Sequence, residues 1–266
     1  ENNYCSTFAH NNYLKRRKNS SHSSKHNDVL SNLISEKLHE NWSPEQISNA
    51  LLNGKLSFKT IYNWIYIGKL KGISFKNLRH KGKRRKKETR GKFLIGNSIT
   101  TRPKDVKSRK TFGHWELDTI VSSRGKSKAC LATFVERKTR FYVAIKIKDR
   151  TAPSMLKAIK KLVKVLPKKA LKTFTTDRGK EFACYKEVEK LNIKVYFADA
   201  YAAWQRGSNE NSNGLLREYY PKKTDLGKIS NDDLIEKLIL LNSRPRKCLN
   251  WDNPFNLFLK EVSHLD

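Results

Sequence analysis

Beyond Thr111 the sequence changes from lysine-rich polar text to an ordered succession of short apolar runs, and that order is the tightest constraint on the fold. Trp115 to Ser122, Ala129 to Glu136 and Phe141 to Lys148 are rich in β-branched and aromatic residues and read as three strands. Their links, Ser123 to Lys128 and Arg137 to Arg140, are too short for a crossover to a parallel neighbour, so antiparallel pairing is expected. The period then changes. Between Ala152 and Leu166, residues Met155, Leu156, Ile159, Leu162 and Val163 fall on one stripe of an amphipathic helix. A fourth strand (Leu171 to Thr176), a helix (Phe182 to Leu191) and a fifth strand (Lys194 to Ala198) follow. A helix from about Ser208 to Tyr220 ends at Pro221, and Leu234, Ile235, Leu238 and Ile239 mark another that faces the core. The expectation is an α/β domain over 111–266, with a mixed five-stranded sheet flanked by helices and closed by a C-terminal helix.

A small all-α unit is expected upstream, over 28–68. Val29, Leu30, Leu33, Ile34 and Leu38 recur at helical spacing. In Ser43-Pro44-Glu45-Gln46, a Ser cap, a first-turn Pro and a Gln three residues after the cap signal a helix start. That helix carries Ile47, Leu51 and Leu52 and stops at Asn53-Gly54. Ser57 caps a third, Phe58 to about Tyr66, with Ile61, Trp64 and Ile65 on one side. Three short helices with a Gly turn before the last match a helix-turn-helix unit. Its outward Lys59, Thr60 and Asn63 could meet base edges or phosphates, and a generic three-helix bundle is the alternative. Residues 1–27, with Lys15-Arg16-Arg17-Lys18, read as a polar, basic linker. The chain opens on Glu1 and its only methionine is Met155, so this linker is expected to be the remnant of a truncated N-terminal region.

Charge narrows the choice of partner. Lys and Arg number 56 against 25 acids, a net charge of +31. So large a surplus repels itself in the compact state and normally persists because the partner is a polyanion, here nucleic acid. A membrane partner is not expected: the basic segments lack an apolar helical face, and no run approaches the roughly 18 apolar residues of a span. The basic connector 69–110 is densest from Lys81 to Lys87, including Lys83, Arg84, Arg85, Lys86 and Lys87. Such a block is expected to stay disordered until it meets an anion. Neutralising about six phosphates would give a slope near −5 for the logarithm of affinity against log salt. Cys5, Cys130, Cys184 and Cys248 form no CxxC pair, which argues against a disulfide framework or cysteine zinc site and suits a reducing, cytoplasmic compartment. His22 and His26 have zinc-like spacing without cysteine partners and read as solvated.

Three acids stand out by position. Asp118 is mid-strand, Asp177 ends the fourth strand, and Glu210 sits near a helix start. An ionised carboxylate inside a sheet is costly unless it is paired or binds metal; pairing with a lysine is the structural alternative for each alone. Phosphodiester chemistry needs such acids. Two Mg²⁺ ions about 3.5–4 Å apart can activate the attacking oxygen and stabilise the leaving one. Mg²⁺ takes oxygen ligands, with one or two carboxylates each from the protein. The expected catalytic and metal-binding set is therefore Asp118 bridging two Mg²⁺ (Mn²⁺ as substitute), with Asp177 on one and Glu210 on the other. Glu116, two residues before Asp118 on the same strand face, could replace or assist it, with a supporting salt bridge favoured. Arg206 and Arg217 are candidate backbone clamps, or surface residues. Trp204 reads as a loop anchor, with wedging against a base as the alternative, and Gly179 as a flexible turn after Asp177.

These residues carry a resemblance. Trp115-Glu116-Leu117-Asp118, then Asp177-Arg178-Gly179-Lys180-Glu181-Phe182, then Glu210, resemble the retroviral-integrase-like core of DDE transposases, whose fold is RNase H-like. YAAWQRGSNENSNGLLREYYPKKTD (Tyr201 to Asp225), with WSPEQIS and TIYNWIY upstream and NSRPRKCLNWDNP (Asn242 to Pro254) downstream, is similar to the insertion-sequence-30 family. The resemblance implies binding of double-stranded DNA at terminal inverted repeats, Mg²⁺-dependent cleavage, transfer of the 3′-OH into target DNA, and a homo-oligomeric synaptic complex. Members usually carry a further helix-turn-helix ahead of the segment where this chain opens, and an acidic residue where Phe255-Asn256-Leu257 follows Pro254. The rival readings are a catalytically inactive DNA-binding regulator derived from a transposase, and an RNase H-type nuclease that does no joining.

Overall fold

A computed structural model describes residues 5–19, 26–79, 96–123, 125–199 and 202–265. The expected linker contains a helix, α1 (Ser6–Asn19), polar all round and without a buried residue among those described. Next come α2 (Asp28–His39), entered through Asn27, whose side chain accepts from Leu30 N, and α3 (Pro44–Gln46), which runs on into a π-helical turn, Ile47–Leu51. Ser43 and Gln46 form a reciprocal cap: Gln46 N donates to Ser43 Oγ at 3.2 Å and Ser43 N to Gln46 Oε1 at 2.8 Å. Asn53 and Gly54 take left-handed backbone (φ 48° and 75°) before α4 (Phe58–Tyr66), which Ser57 caps. Ile34, Leu38, Ile47, Ile61, Trp64 and Ile65 form one core with Leu56, Leu70 and Ile73, so this unit extends past residue 68. Val29, expected on its apolar stripe, is exposed. Lys59 and Asn63 are exposed and Thr60 is half-buried. His26 is not a solvated side chain: its ring meets Trp64 edge-on and Nε2 lies 2.7 Å from Ser31 Oγ. His22 and the run Lys83, Arg84, Arg85, Lys86 and Lys87 lie outside the described residues.

The α/β domain starts earlier than expected. A two-residue strand β1 (Asn97–Ser98) and a short helix α5 (Lys104–Ser108), with Val106 buried, both fall inside the expected connector. Then come β2 (His114–Val121), β3 (Cys130–Glu136), β4 (Tyr142–Ile147), α6 (Ala152–Val165), β5 (Thr173–Thr176), α7 (Tyr185–Glu189), β6 (Lys194–Phe197), α8 (Gly207–Tyr219), α9 (Asn231–Asn242) and α10 (Pro254–Ser263). The sheet has six strands, not five, in the order β1-β6-β5-β2-β3-β4. β2, β3 and β4 pair antiparallel; β5, β6 and β1 add on in parallel. Three antiparallel strands extended by parallel ones beside the first is the RNase H-like arrangement. The sixth strand was hidden because two residues are too few to show a period. The helix expected from Phe182 is a 3₁₀ turn (Lys180–Cys184) before α7.

β2 sorts its side chains by the two-residue period of a strand. Trp115 and Leu117 enter the core beneath α6 and α10, where Phe258 stacks on Phe141 with ring centres 4.1 Å apart. Glu116, Asp118 and Ile120 face the other way, towards α8 and α9 and their buried Leu215, Leu216, Leu234 and Leu241. The core-facing stripe of α9 is narrower than expected, for Ile235 and Ile239 are 55% and 60% exposed. Cys5 and Cys248 are exposed, Cys130 and Cys184 buried, and all four are free. No helix among the described residues is long and apolar enough to cross a membrane.

His114, at the start of β2, is buried, with Nδ1 2.8 Å from Thr173 Oγ1. Burial chiefly, opposed by Asp105, lowers its pKa from 6.5 to about 4. Between those values the unfolded chain binds the extra proton, so stability rises with pH across that window and is lost as pH falls towards 4. His114→Gln should flatten this acid limb of a denaturation series; an unchanged limb would assign it to other groups.

Candidate active site

Asp118 and Asp177 come together through strand register. β2 and β5 run parallel with Glu116 opposite Thr175, and two residues further along each strand brings Asp118 level with Asp177. One guanidinium spans them: Arg206 Nη1 is 3.2 Å from Asp118 Oδ2 and Nη2 is 3.5 Å from Asp177 Oδ2. Asp118 Oδ1 accepts from Thr119 N at 2.8 Å, and Oδ2 accepts from Asn213 Nδ2 at 3.2 Å. Burial pushes the Asp118 carboxyl above the usual carboxylate range; Arg206 opposes that rise and the Asp177 charge adds to it. The pair opens into a cleft of about 550 Å³ whose other walls include Thr119, Arg150, Arg217, Lys222 and Lys223.

Glu210, the third acid of the expected set, lies on α8. It is exposed on the first turn of α8 and does not line the cleft. Among the described residues no three of His, Cys, Asp and Glu form a group that could hold a metal. Its spacing from Arg206 and Asn213 nevertheless puts it on their helical face, and both of those touch Asp118. Glu116 does not replace Asp118. It is fully buried, ion-paired to Arg137 Nη1, and its Oε2 accepts Asn209 N at 2.9 Å, so it fixes the start of α8 against β2. Arg217 donates to the carbonyl oxygens of Val121 (2.7 Å), Tyr220 and Pro221, tying α8 to the end of β2. Trp204, expected to anchor its loop, is 76% exposed in a 3₁₀ turn before α8.

Sequence reasoning missed Arg150 and Glu181. Arg150 Nε donates to Glu181 Oε1 at 2.6 Å, and Thr119 Oγ1 donates to the same oxygen at 2.9 Å. Nothing in the sequence pairs residues so far apart. Asn213 was findable, three residues after Glu210 on one helical face. Gly179 is needed for room rather than flexibility. Its φ is an ordinary −70°, but a Cβ there would lie 2.5 Å from Glu181 Oε2 and 2.9 Å from Asp177 Oδ1. Gly179→Ala should therefore displace Asp177 and lower turnover about tenfold, roughly 1.4 kcal/mol in barrier, with little change in melting temperature; full turnover would show that the loop yields freely.

A mixed sheet in this order, with two level aspartates beside its centre and a cation-rich cleft in front, defines an integrase-type α/β core. An integrase core domain profile matches residues 108–203, a span that contains both aspartates. The transposase InsI of insertion sequence element IS30A from Escherichia coli (strain K12) is 34% identical over 256 residues, covering 89% of this chain and 66% of its own length. The transposase of IS1086 from Cupriavidus metallidurans is 35% identical over 252 residues, covering 89% of this chain and 74% of its own. The catalytic core of BIV integrase, at 19% identity, covers 57% of this chain and 96% of its own with a TM-score of 0.43. The chain belongs to the IS30 family of transposases, and it spans about two thirds of the length of the Escherichia coli relative.

Proposed function

We propose that this chain carries the catalytic part of a DNA transposase that cleaves strands at the terminal inverted repeats of a mobile element and transfers the 3′-OH into target DNA. The observation that carries the reading is the pair Asp118 and Asp177, level on adjacent strands and sharing one cation in a cleft walled by Arg150, Lys222 and Lys223. The donors fit a hard divalent cation: both are carboxylates, and they already hold a positive charge between them. Asp118 and Asp177 would hold Mg²⁺, or Mn²⁺ in its place, with Glu210 as the proposed third ligand and two ions as the proposed complement. When bound, such ions neutralise phosphate charge and lower the pKa of an attacking oxygen.

The chain's own residues do the rest. Arg150, Lys222 and Lys223 offer charge to the DNA backbone, Asn213 and Thr119 N orient the Asp118 carboxylate, and Glu116 with Arg137 holds α8 in place. Lys59, Thr60 and Asn63 on α4, the run from Lys83 to Lys87, and Arg206 and Arg217 are the proposed further DNA contacts, and the working complex is proposed to be a homo-oligomer. A labelled duplex ending in the element's repeat, incubated with the protein and Mg²⁺, should yield nicked ends and then joined products. The second reading, a DNA-binding regulator without catalysis, is favoured by the lack, among the described residues, of a group of three acids that could hold a metal; it predicts retarded DNA with no nicks. A nuclease would give hydrolysed fragments alone.

A further inference from the structure

The opposite face of α8 has a use of its own. Gly207, Ser208 and Asn211 point away from the side that carries Arg206 and Asn213, and they wall a cavity of about 230 Å³ with Arg109, Arg140 and Arg246. No acidic residue lines it among those described. The carboxylates around it are committed elsewhere: Glu116 to Arg137 and Asn209 N, Glu136 to Thr139, and Glu218 to Arg244. Arg140 Nη1 donates to Ser208 Oγ at 2.6 Å, yet the Nε groups of Arg140 and Arg246 are buried with no hydrogen-bond partner among the described residues. Buried guanidinium N–H groups without acceptors are costly, and three like charges around one cavity repel. Burial first, then Arg140 and Arg137, pulls the Arg109 pKa down, and burial pushes Arg246 down to about 10. The 13-residue helix α8 begins at this cavity; its N-cap residue Arg206 makes no capping hydrogen bond, and Glu116 takes only the third N–H, that of Asn209, so the start of the helix still offers a positive dipole end here.

We propose that Arg109, Arg140 and Arg246, with the first turn of α8, form a phosphate site that takes a backbone phosphate of the DNA, on the far side of α8 from the aspartate pair. The proposal rests on DNA being the substrate, and it adds a contact that the aspartate cleft does not provide. Arg140 Nη1 already has Ser208 and Arg246 Nη2 donates to Leu241 O at 3.0 Å, so a phosphate, whose oxygens guanidinium forks match two at a time, would supply acceptors for the remaining N–H groups. A phosphate held here would fix one strand relative to α8, and hence relative to Asp118, through the Glu116–Asn209 tie.

The test is fluorescence anisotropy of a duplex of arbitrary sequence, titrated at several KCl concentrations. The proteins are the wild-type chain, R140Q/R246Q, the exposed single variant R109Q, and K160Q/K161Q on the outer face of α6, which removes the same charge as the double variant. One phosphate contact changes the slope of log affinity against log salt by about 0.9. The double variant should lose about that much slope, R109Q a part of it, and the α6 control little. Equal slopes for R140Q/R246Q and the α6 control overturn the site and leave the transposase reading standing. A wild-type chain that binds no duplex overturns that reading and the site with it. Should the double variant misfold by thermal melt, R109Q and R140K decide: R140K keeps the charge but loses the fork, and wild-type slopes in both overturn the site. Inorganic phosphate that raises the wild-type melting temperature, while slopes stay equal, would assign the cavity to free anion and overturn the DNA contact.

Discussion

Asp118→Asn is expected to reduce strand cleavage by about 10³-fold or more, the scale on which loss of one charge-stabilising group acts, while duplex affinity stays near wild type. Asparagine keeps the shape and can still accept from Thr119 N, but it removes the charge that holds Arg206 and would hold a divalent ion. Most contacts proposed for the duplex, on α4, in the basic run and across α8, do not involve Asp118, and the cleft keeps Arg150, Lys222 and Lys223. Burial already disfavours the Asp118 charge, so the variant should melt at the same temperature or higher. Activity and stability then move in opposite directions, which a merely structural aspartate would not produce. Cleavage of an end-labelled repeat is the measurement, with anisotropy and a thermal melt beside it. Wild-type cleavage by the variant would remove Asp118 from the chemistry.

Arg137→Met is expected to be the costliest single change to the fold near the site. Arg137 is 4% exposed and Glu116 0%, and their ion pair is closed by Asn209 N at 2.9 Å and by Arg137 Nε donating to Val106 O at 3.2 Å. Removing one partner of a buried pair leaves an uncompensated charge, a loss of roughly 3–5 kcal/mol. Chemical denaturation should show it, and Glu116→Gln in the same chain should restore much of it. A loss below about 1 kcal/mol would mean that water reaches Glu116, at odds with the range for a broken buried pair. Because Glu116 also anchors the start of α8, the single variant should lose turnover out of proportion to its folded fraction.

Much of this fold was legible because its elements announce themselves through period and caps. Ser43, Ser57 and the Asn53-Gly54 stop are local signals, and the structure has each where the sequence puts it. The antiparallel pairing of the first three strands followed from their link lengths. What escaped lacks local signal: β1 is too short to show a pattern, and α1 has no apolar stripe by which to recognise it. Ile235 and Ile239 failed because an apolar residue on a helix reports hydrophobicity and not which neighbour covers it. At the site, Asp118 and Asp177 could be picked out as acids on strands. That Arg206 bridges them could not, since the contact depends on where the turn before α8 folds back. Glu210 shows the limit from the other side: its position on the helix was readable, its distance from the pair was not.

Because β2 sends alternate side chains to opposite sides of the sheet, its coding sequence is intolerant of in-frame gain or loss. Deleting one codon between His114 and Asp118 would place an acid where Trp115 or Leu117 now packs, and an indole or isobutyl group where the acids stand. No later point substitution could undo both errors at once. The link from Ser122 to Ala129 carries no such alternation, so lineages descending from a chain like this one should accumulate their length variation there and keep β2 at constant length.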